Sequence, residues 1–185
     1  MVVVDSFALI PLIRIGRLDL LEKYFKKIKI TKEVYEELIA GLIGVSEFEK
    51  ACKSWIIANK ELFELERLSE LENIEKADAS VILFAQKEKD ILLSGDLILI
   101  NTAKSKNIEC LWLTAFILKC IEKEIVSKEE AKQILLDMIQ AGIRLKNDVY
   151  SHILKRIDEI KLDKSHNKID AQKAKDESRR IWKMD

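Results

Sequence analysis

Hydrophobic positions change period repeatedly along this chain, and the changes mark out alternating strands and helices. Val2-Val3-Val4 is a continuous β-branched run that stops at Asp5-Ser6, and an apolar helical pattern from Phe7 to Ile15 follows it. The same order of signals recurs from Asp90 to Thr114. Ile91 to Leu93 is too short an apolar run for a buried helix, and Ser94-Gly95-Asp96 breaks it. Leu97 to Ala103 then carries apolar residues at three and four spacings, Lys104 to Asn107 ends that pattern, and Ile108 to Leu113 returns as a strand. A strand, a helix and a parallel strand form a right-handed crossover, with the strand-to-helix turn at the carboxyl edge of the sheet. Asp5 and Asp96 therefore arrive at the edge where open α/β sheets hold their ligands.

The remaining pattern fills in the layers. Pro11 must lie in the first turn of its helix or kink it, and Gly16 suits a left-handed helix C-cap. Leu18 restarts a helix to about Phe25, Ile28-Lys29-Ile30 alternates as a strand, and Thr31 caps a helix from Lys32 to Ala40. Val34, Tyr35, Leu38 and Ile39 form that helix's apolar stripe, with Glu33, Glu36 and Glu37 on its other faces. Ser46-Glu47-Phe48-Glu49 reads as a capping box opening a helix to about Asn59, and Phe63-Glu64-Leu65 as a short strand. Leu71 to Gln86 keeps a helical period in two pieces, with Asp78 near the start of the longer one. Three further helices follow: Phe116 to Glu124, one opened by the capping box Ser127 to Glu130 and closed by Gly142, and one capped by Asn147. The last carries Val149, Tyr150, Ile153, Leu154, Ile157 and Ile160 as its apolar stripe.

The expected architecture is a three-layer α/β/α domain over residues 1–160, around a central parallel sheet of about four to five strands. Apolar density collapses after Lys161. Residues 161–185 hold eight Lys or Arg against five Asp or Glu, and are expected to be a charged tail, disordered or a helix that folds on a partner. Trp182 in this tail is a candidate anchor for a partner or RNA, or for packing back on the domain, whereas Trp112 reads as core.

Composition narrows the chemistry. The 185 residues carry a net charge of zero with 35% charged residues, so no global basic field supplies non-specific nucleic-acid affinity. Cys52, Cys110 and Cys120 form no Cys-x-x-Cys pair and read as buried free thiols in a reducing compartment. Met1 leads straight into a core strand and no apolar run reaches the length of a membrane span, which makes a cytoplasmic protein without a membrane partner the expectation. The two histidines, His152 and His166, lack a triad-like context, and Gly41-Leu42-Ile43-Gly44 lacks the strand and lysine of a phosphate loop.

What remains is acidic: Asp5 and Asp96 at strand ends, Asp78 near a helix start, and one of Glu36 or Glu37. Each aspartate alone has a plain structural use, since Asp between strand and helix is a good N-cap. Together they change meaning. Crowded carboxylates share protons or are neutralised by a cation, and oxygen ligands without histidine or thiolate select hard ions such as Mg²⁺ or Mn²⁺. Such a cluster points to divalent-metal chemistry on phosphates. Lys104, Lys106 and Arg14 are candidates to bind an RNA backbone at that edge, or to complement helix dipoles.

Val3-Val4-Asp5-Ser6, Ile15-Gly16-Arg17-Leu18-Asp19-Leu20-Leu21 and Ile30-Thr31-Lys32-Glu33-Val34-Tyr35-Glu36-Glu37-Leu38 together resemble the opening of a PIN domain. Ala77-Asp78-Ala79-Ser80-Val81-Ile82 and Leu92-Leu93-Ser94-Gly95-Asp96 resemble its two later acidic motifs, in order. Gly142-Ile143-Arg144-Leu145 and Tyr150 resemble the end of its VapC-like toxin branch, so the resemblance covers roughly residues 1 to 158. It implies a metal-dependent endoribonuclease with Asp5, Glu37, Asp78 and Asp96 as the acidic site and Asp5, Asp78 and Asp96 as ligands of Mg²⁺ or Mn²⁺. It also implies cleavage leaving a 5′-phosphate and a 3′-hydroxyl. Glu37 is preferred to Glu36 because the family's glutamate directly precedes a leucine, as Glu37 precedes Leu38. Ser94 matches a small hydroxyl residue two before the last aspartate, and Ser6 and Asn101 are candidate supports. The chain departs from the pattern at Ile98 and Leu99, where many such domains carry a further acid. A toxin paired with an antitoxin, dimeric and acting on RNA, is the expected setting. The alternatives are a non-catalytic PIN-like module with an incomplete acidic site, binding RNA or protein, and a hydrolase of small phosphate esters.

Overall fold

The computed structural model describes residues 1–41, 45–59 and 65–161. In chain order the elements are β1 (Val2–Val4), α1 (Ser6–Arg14), α2 (Asp19–Phe25), β2 (Ile28–Ile30), α3 (Lys32–Ala40), α4 (Val45–Cys52) and β3 (Ile56–Ala58). There follow α5 (Leu65–Glu72), α6 (Lys76–Glu88), β4 (Ile91–Ser94), α7 (Leu97–Ser105), β5 (Cys110–Trp112), α8 (Leu113–Glu122), α9 (Lys128–Gln140) and α10 (Asn147–Glu159). The strands form one parallel sheet in the order β3-β2-β1-β4-β5, flanked by helices. This is the α/β architecture expected from the sequence.

Burial explains why β1 is central. Val2, Val3 and Val4 are all fully buried, as a β-branched run covered on both faces should be. β1 runs in register with β4, Val4 opposite Leu93, and the Asp5 N–H extends the ladder to the Leu93 carbonyl at 3.1 Å. Connections from β1 step one way through β2 to β3, and the connection from β4 steps the other way to β5. The switch point therefore lies between β1 and β4, and the turns after those two strands stand side by side at the carboxyl edge.

Lys29, in the middle of β2, is only 8% exposed, where alternation along the strand suggested an open face. Its ammonium is matched by Asp90 at 2.8 Å and by Glu88, and Asp90 also receives the terminal amine of Met1 at 2.7 Å. Burial pushes the Lys29 amine down, and these two carboxylates reverse that and hold it above its ordinary value.

Several expectations need correction. The helix opened near Ser46 ends at Cys52, and Ile56–Ala58 is an edge strand paired to β2, Lys29 opposite Ile57. Ser46 is the second residue of that helix, not its cap. Leu65 begins a helix; Phe63 and Glu64 lie outside the described residues. Trp112 sits on the edge strand β5 and is half-buried. Pro11 lies past the first turn of α1, while Gly16 takes its left-handed C-cap conformation at φ 65°. Asn147 is the first helical residue of α10, capped by Lys146, and Val149 is exposed where the stripe had it buried. Residues 162–185, with His166 and Trp182, lie outside the described residues, as do Leu42, Ile43 and Gly44. Among the described residues no helix is long and apolar enough to cross a membrane. Cys120 is buried and Cys52 and Cys110 are half-buried free thiols, and burial pushes Cys120 up to about 12 and Cys52 up to about 11.

Candidate active site

Asp5 leaves β1 in extended conformation and caps α1, its Oδ2 accepting from the Phe7 N–H at 3.2 Å. Asp96 does the same for α7 after β4, its Oδ1 accepting from the Leu99 N–H at 2.7 Å. Both aspartates are thus N-caps, and capping is what aims their carboxylates at the same edge.

Ser94 ties the two turns together. Its hydroxyl donates to Asp5 Oδ2 at 2.7 Å and accepts from the Asp96 N–H at 2.9 Å, with the Ser94 side chain fully buried. Gly95 permits the approach. A Cβ there would stand 3.2 Å from the Phe7 carbonyl oxygen, and that carbonyl has no helical N–H four residues on, because the residue there is Pro11. Ser6, also buried, places its hydroxyl 3.4 Å from Asp5 Oδ1.

Asp78 lies in the first turn of α6, half-buried, and accepts a backbone hydrogen bond from Glu75. Burial pushes its carboxyl up to about 6, with Asp96, Glu75 and Glu37 adding repulsion. Burial likewise pushes Asp5 up to about 7 against the Ser94 hydrogen bond, and the Asp78 charge adds to the rise. None of the leading influences on these two carboxyls comes from a Lys, Arg or His. The four acids expected from the sequence therefore share one electrostatic field, with Glu75 as a fifth that the sequence reading missed. Its signal was its position three residues before Asp78, where an N-cap belongs.

Glu37 and Glu36 separate clearly. Glu37 acts on Asp78 and lines a cleft between α1 and α3 with Ile10, Ile13, Arg14, Leu38 and Gly41. Glu36 points to solvent and pairs with Lys32 at 3.4 Å. Asn101 is exposed and, five residues along α7 from Asp96, stands about 140° around the helix from it. Leu99 is core, whereas Leu97 and Ile98 are 60% and 63% exposed, so the site's rim there is apolar.

The basic candidates divide as well. Lys104 and Lys106 sit at the far end of α7, about 12 Å or more along the axis from its capped start. Lys106 is engaged by Glu72 at 2.7 Å. Arg14 lies in the cleft with Glu37 and donates from Nη1 to the Ala141 carbonyl at 3.1 Å.

A family model described as a PIN domain matches residues 1–159. The chain belongs to the PIN domain family. Members are generally nucleases that use divalent metals. No curated protein matches the chain. Among solved structures, a PilT N-terminus domain protein, SSO1118, from the hyperthermophilic archaeon Sulfolobus solfataricus P2 aligns at 16% identity and a TM-score of 0.47, over 65% of this chain and 93% of its own. A domain of a functionally unknown protein from Methanocaldococcus jannaschii aligns at 27% identity and TM-score 0.43, over 60% of this chain and 89% of its own. PAE2754 from Pyrobaculum aerophilum aligns at 21% identity and TM-score 0.42, over 59% and 82%.

The PIN site of this chain offers only oxygen donors, which suits a hard divalent ion, and its two raised carboxyls are the groups such a charge would lower. Among the described residues no three His, Cys, Asp or Glu side chains converge closely enough to hold a metal ion. The donor chemistry and electrostatics fit, with the carboxylates coupled but apart.

Proposed function

We propose that this protein is a Mg²⁺- or Mn²⁺-dependent endoribonuclease hydrolysing RNA phosphodiester bonds. The observation that carries the reading is the electrostatic coupling of Asp5, Asp96 and Glu37 to Asp78, with Asp5 fully buried and pushed up to about 7. Carboxyls raised this far by burial and mutual repulsion are matched to an external cation. When bound, the ion supplies Lewis acidity toward the phosphate and a water of lowered pKa.

The chain's own residues do the rest. Asp5, Asp78 and Asp96 would hold the ion, and Ser94 fixes the Asp5 carboxylate while holding the Asp96 backbone in place. Glu37, open to the cleft beside Asp78, orients the attacking water and takes its proton. The resemblance at Gly142 to Leu145 and Tyr150 supports a VapC-like toxin in a cytoplasmic toxin–antitoxin pair, acting as a homodimer. The test is cleavage of a labelled single-stranded RNA with Mn²⁺ or Mg²⁺, with EDTA, and with Asp96→Asn. Metal-dependent cleavage that the variant lacks is the expected result, and cleavage unaffected by EDTA or by the variant would refute it.

A second reading has its own support. The apolar Ile98 and Leu99, and carboxylates that stand apart, suit a non-catalytic module that binds RNA or protein. Titration calorimetry with Mn²⁺ separates the two: a nuclease gives a saturable heat that depends on Asp96, and a decayed site gives none.

A further inference from the structure

Residues Phe7, Ile10 and Arg14 lie on one stripe of α1. Seven residues turn the helix to within about 20° of its starting direction while advancing about 10 Å, so Phe7 and Arg14 stand on the same face. Phe7 is 55% exposed, Ile10 is half-buried and Arg14 is exposed, while Ala8, Leu9, Leu12 and Ile13 turn inward to the core. The stripe begins two residues after Asp5 and ends in the cleft that holds Glu37.

An aromatic ring left open beside a buried acidic site calls for an occupant. The backbone that carries the ring is pinned, its N–H held by Asp5 and its carbonyl closely approached by Gly95. At the other end, Nη1 of Arg14 is held by the Ala141 carbonyl, which fixes the guanidinium on α1 and leaves its other N–H groups free to donate. A flat apolar face followed by a fixed planar cation matches a nucleobase followed by a backbone phosphate.

We propose that the Phe7–Ile10–Arg14 stripe is the track for the nucleotides flanking the scissile bond of a single-stranded RNA. This rests on the nuclease reading for its substrate class. One unpaired base stacks on Phe7, over the rim that Leu97 and Ile98 keep apolar, and Arg14 contacts a neighbouring phosphate. The track selects unpaired over paired RNA, since a base inside a duplex cannot offer its face to the ring. It is tolerant of base identity, because every base has a π-face.

The experiment measures binding of short fluorescent single-stranded oligoribonucleotides to the full chain carrying Asp96→Asn, with and without Phe7→Ala, Phe7→Trp or Arg14→Gln. Phe7→Ala weakens binding about tenfold, whichever base is offered, and Phe7→Trp restores it. An abasic oligonucleotide removes the difference between the Phe7 variants. Arg14→Gln keeps a donor for the Ala141 carbonyl, loses the charge and lowers the salt slope by about 0.7. With Asp96 intact, Mn²⁺ affinity of Phe7→Ala matches that of the wild-type chain, which excludes a collapsed site. The same variants are then assayed for cleavage with Asp96 intact. Asp96-dependent cleavage and binding indifferent to Phe7 and Arg14 overturn the track and leave the nuclease standing. Phe7- and Arg14-dependent binding by a protein that cleaves nothing keeps the track and sinks the nuclease. If the variants alter self-association or protein capture while RNA binding is unchanged, the stripe is a protein surface and the proposal is wrong.

Discussion

Asp5→Asn should make the metal-free protein more stable, even though it removes the central acid of the site. The Asp5 carboxyl is raised from 3.8 to about 7, chiefly by burial. Between those two values the folded protein keeps the proton and the unfolded chain has released it, so stability falls as pH rises from about 4 through about 7. Integrated, the penalty is about 1 kcal/mol at about pH 4.5 and about 4 kcal/mol at about pH 8. Asparagine fits the same hydrogen bonds. Its Oδ1 takes the place of Oδ2, accepting from the Ser94 hydroxyl and the Phe7 N–H, and its Nδ2 faces the Ser6 hydroxyl. Urea unfolding followed by circular dichroism in EDTA is the assay. Near pH 8 the variant should exceed wild type by several kcal/mol, the difference narrowing to about 1 kcal/mol near pH 4.5, with unchanged m-values. Saturating Mn²⁺ should raise the wild type selectively. A variant no more stable than wild type near pH 8 would refute the electrostatic account of Asp5.

Other substitutions probe the architecture around it. Gly95→Ala places a methyl 3.2 Å from the Phe7 carbonyl, so the two turns must part by a few tenths of an ångström. Cleavage by the still-folded variant should drop more than about tenfold while stability falls by about 1–2 kcal/mol, as mild overpacking costs, and undiminished cleavage by the folded variant would argue against a positioning effect. Lys29→Ala strands the carboxylates of Asp90 and Glu88 and should cost about 3 kcal/mol in denaturant unfolding near neutral pH. Lys29→Ala together with Asp90→Asn should recover part of that loss, and a double variant as unstable as the sum of the singles would rule out the pairing.

The carboxyl-edge site was readable because its two anchoring aspartates each follow a short apolar strand and precede a helix, a local pattern that also dictates capping. Asp78 and Glu37 needed their helices to be placed against one another, and only the ordered resemblance of several motifs singled them out. β3 was misread because Trp55-Ile56-Ile57-Ala58 continues the apolar spacing of the helix before it, and a three-residue edge strand with an exposed Ile57 shows little alternation of its own. Lys29 looked like the solvent side of a strand, since a buried lysine is legible only when the acids that neutralise it, 59 and 61 residues away, are in view. Lys104 and Lys106 were open to two uses, an RNA backbone or a helix dipole, and their place at the far end of α7 suits the second; composition does not reveal which end of a helix faces the ligand.

Order of synthesis gives the β1/β4 pairing a further meaning. Asp5 emerges from a ribosome well ahead of its partner Ser94, which is 89 residues behind it. β1 can lie against β2 and β3 while the second half of the chain is still being made, yet the clasp between the two turns closes only after β4 arrives. A nascent or truncated chain therefore carries Asp5 without the hydroxyl that fixes it and without Asp96. For the RNA-cleaving activity proposed above, this ordering would delay the assembled site until well after the template has begun to be read.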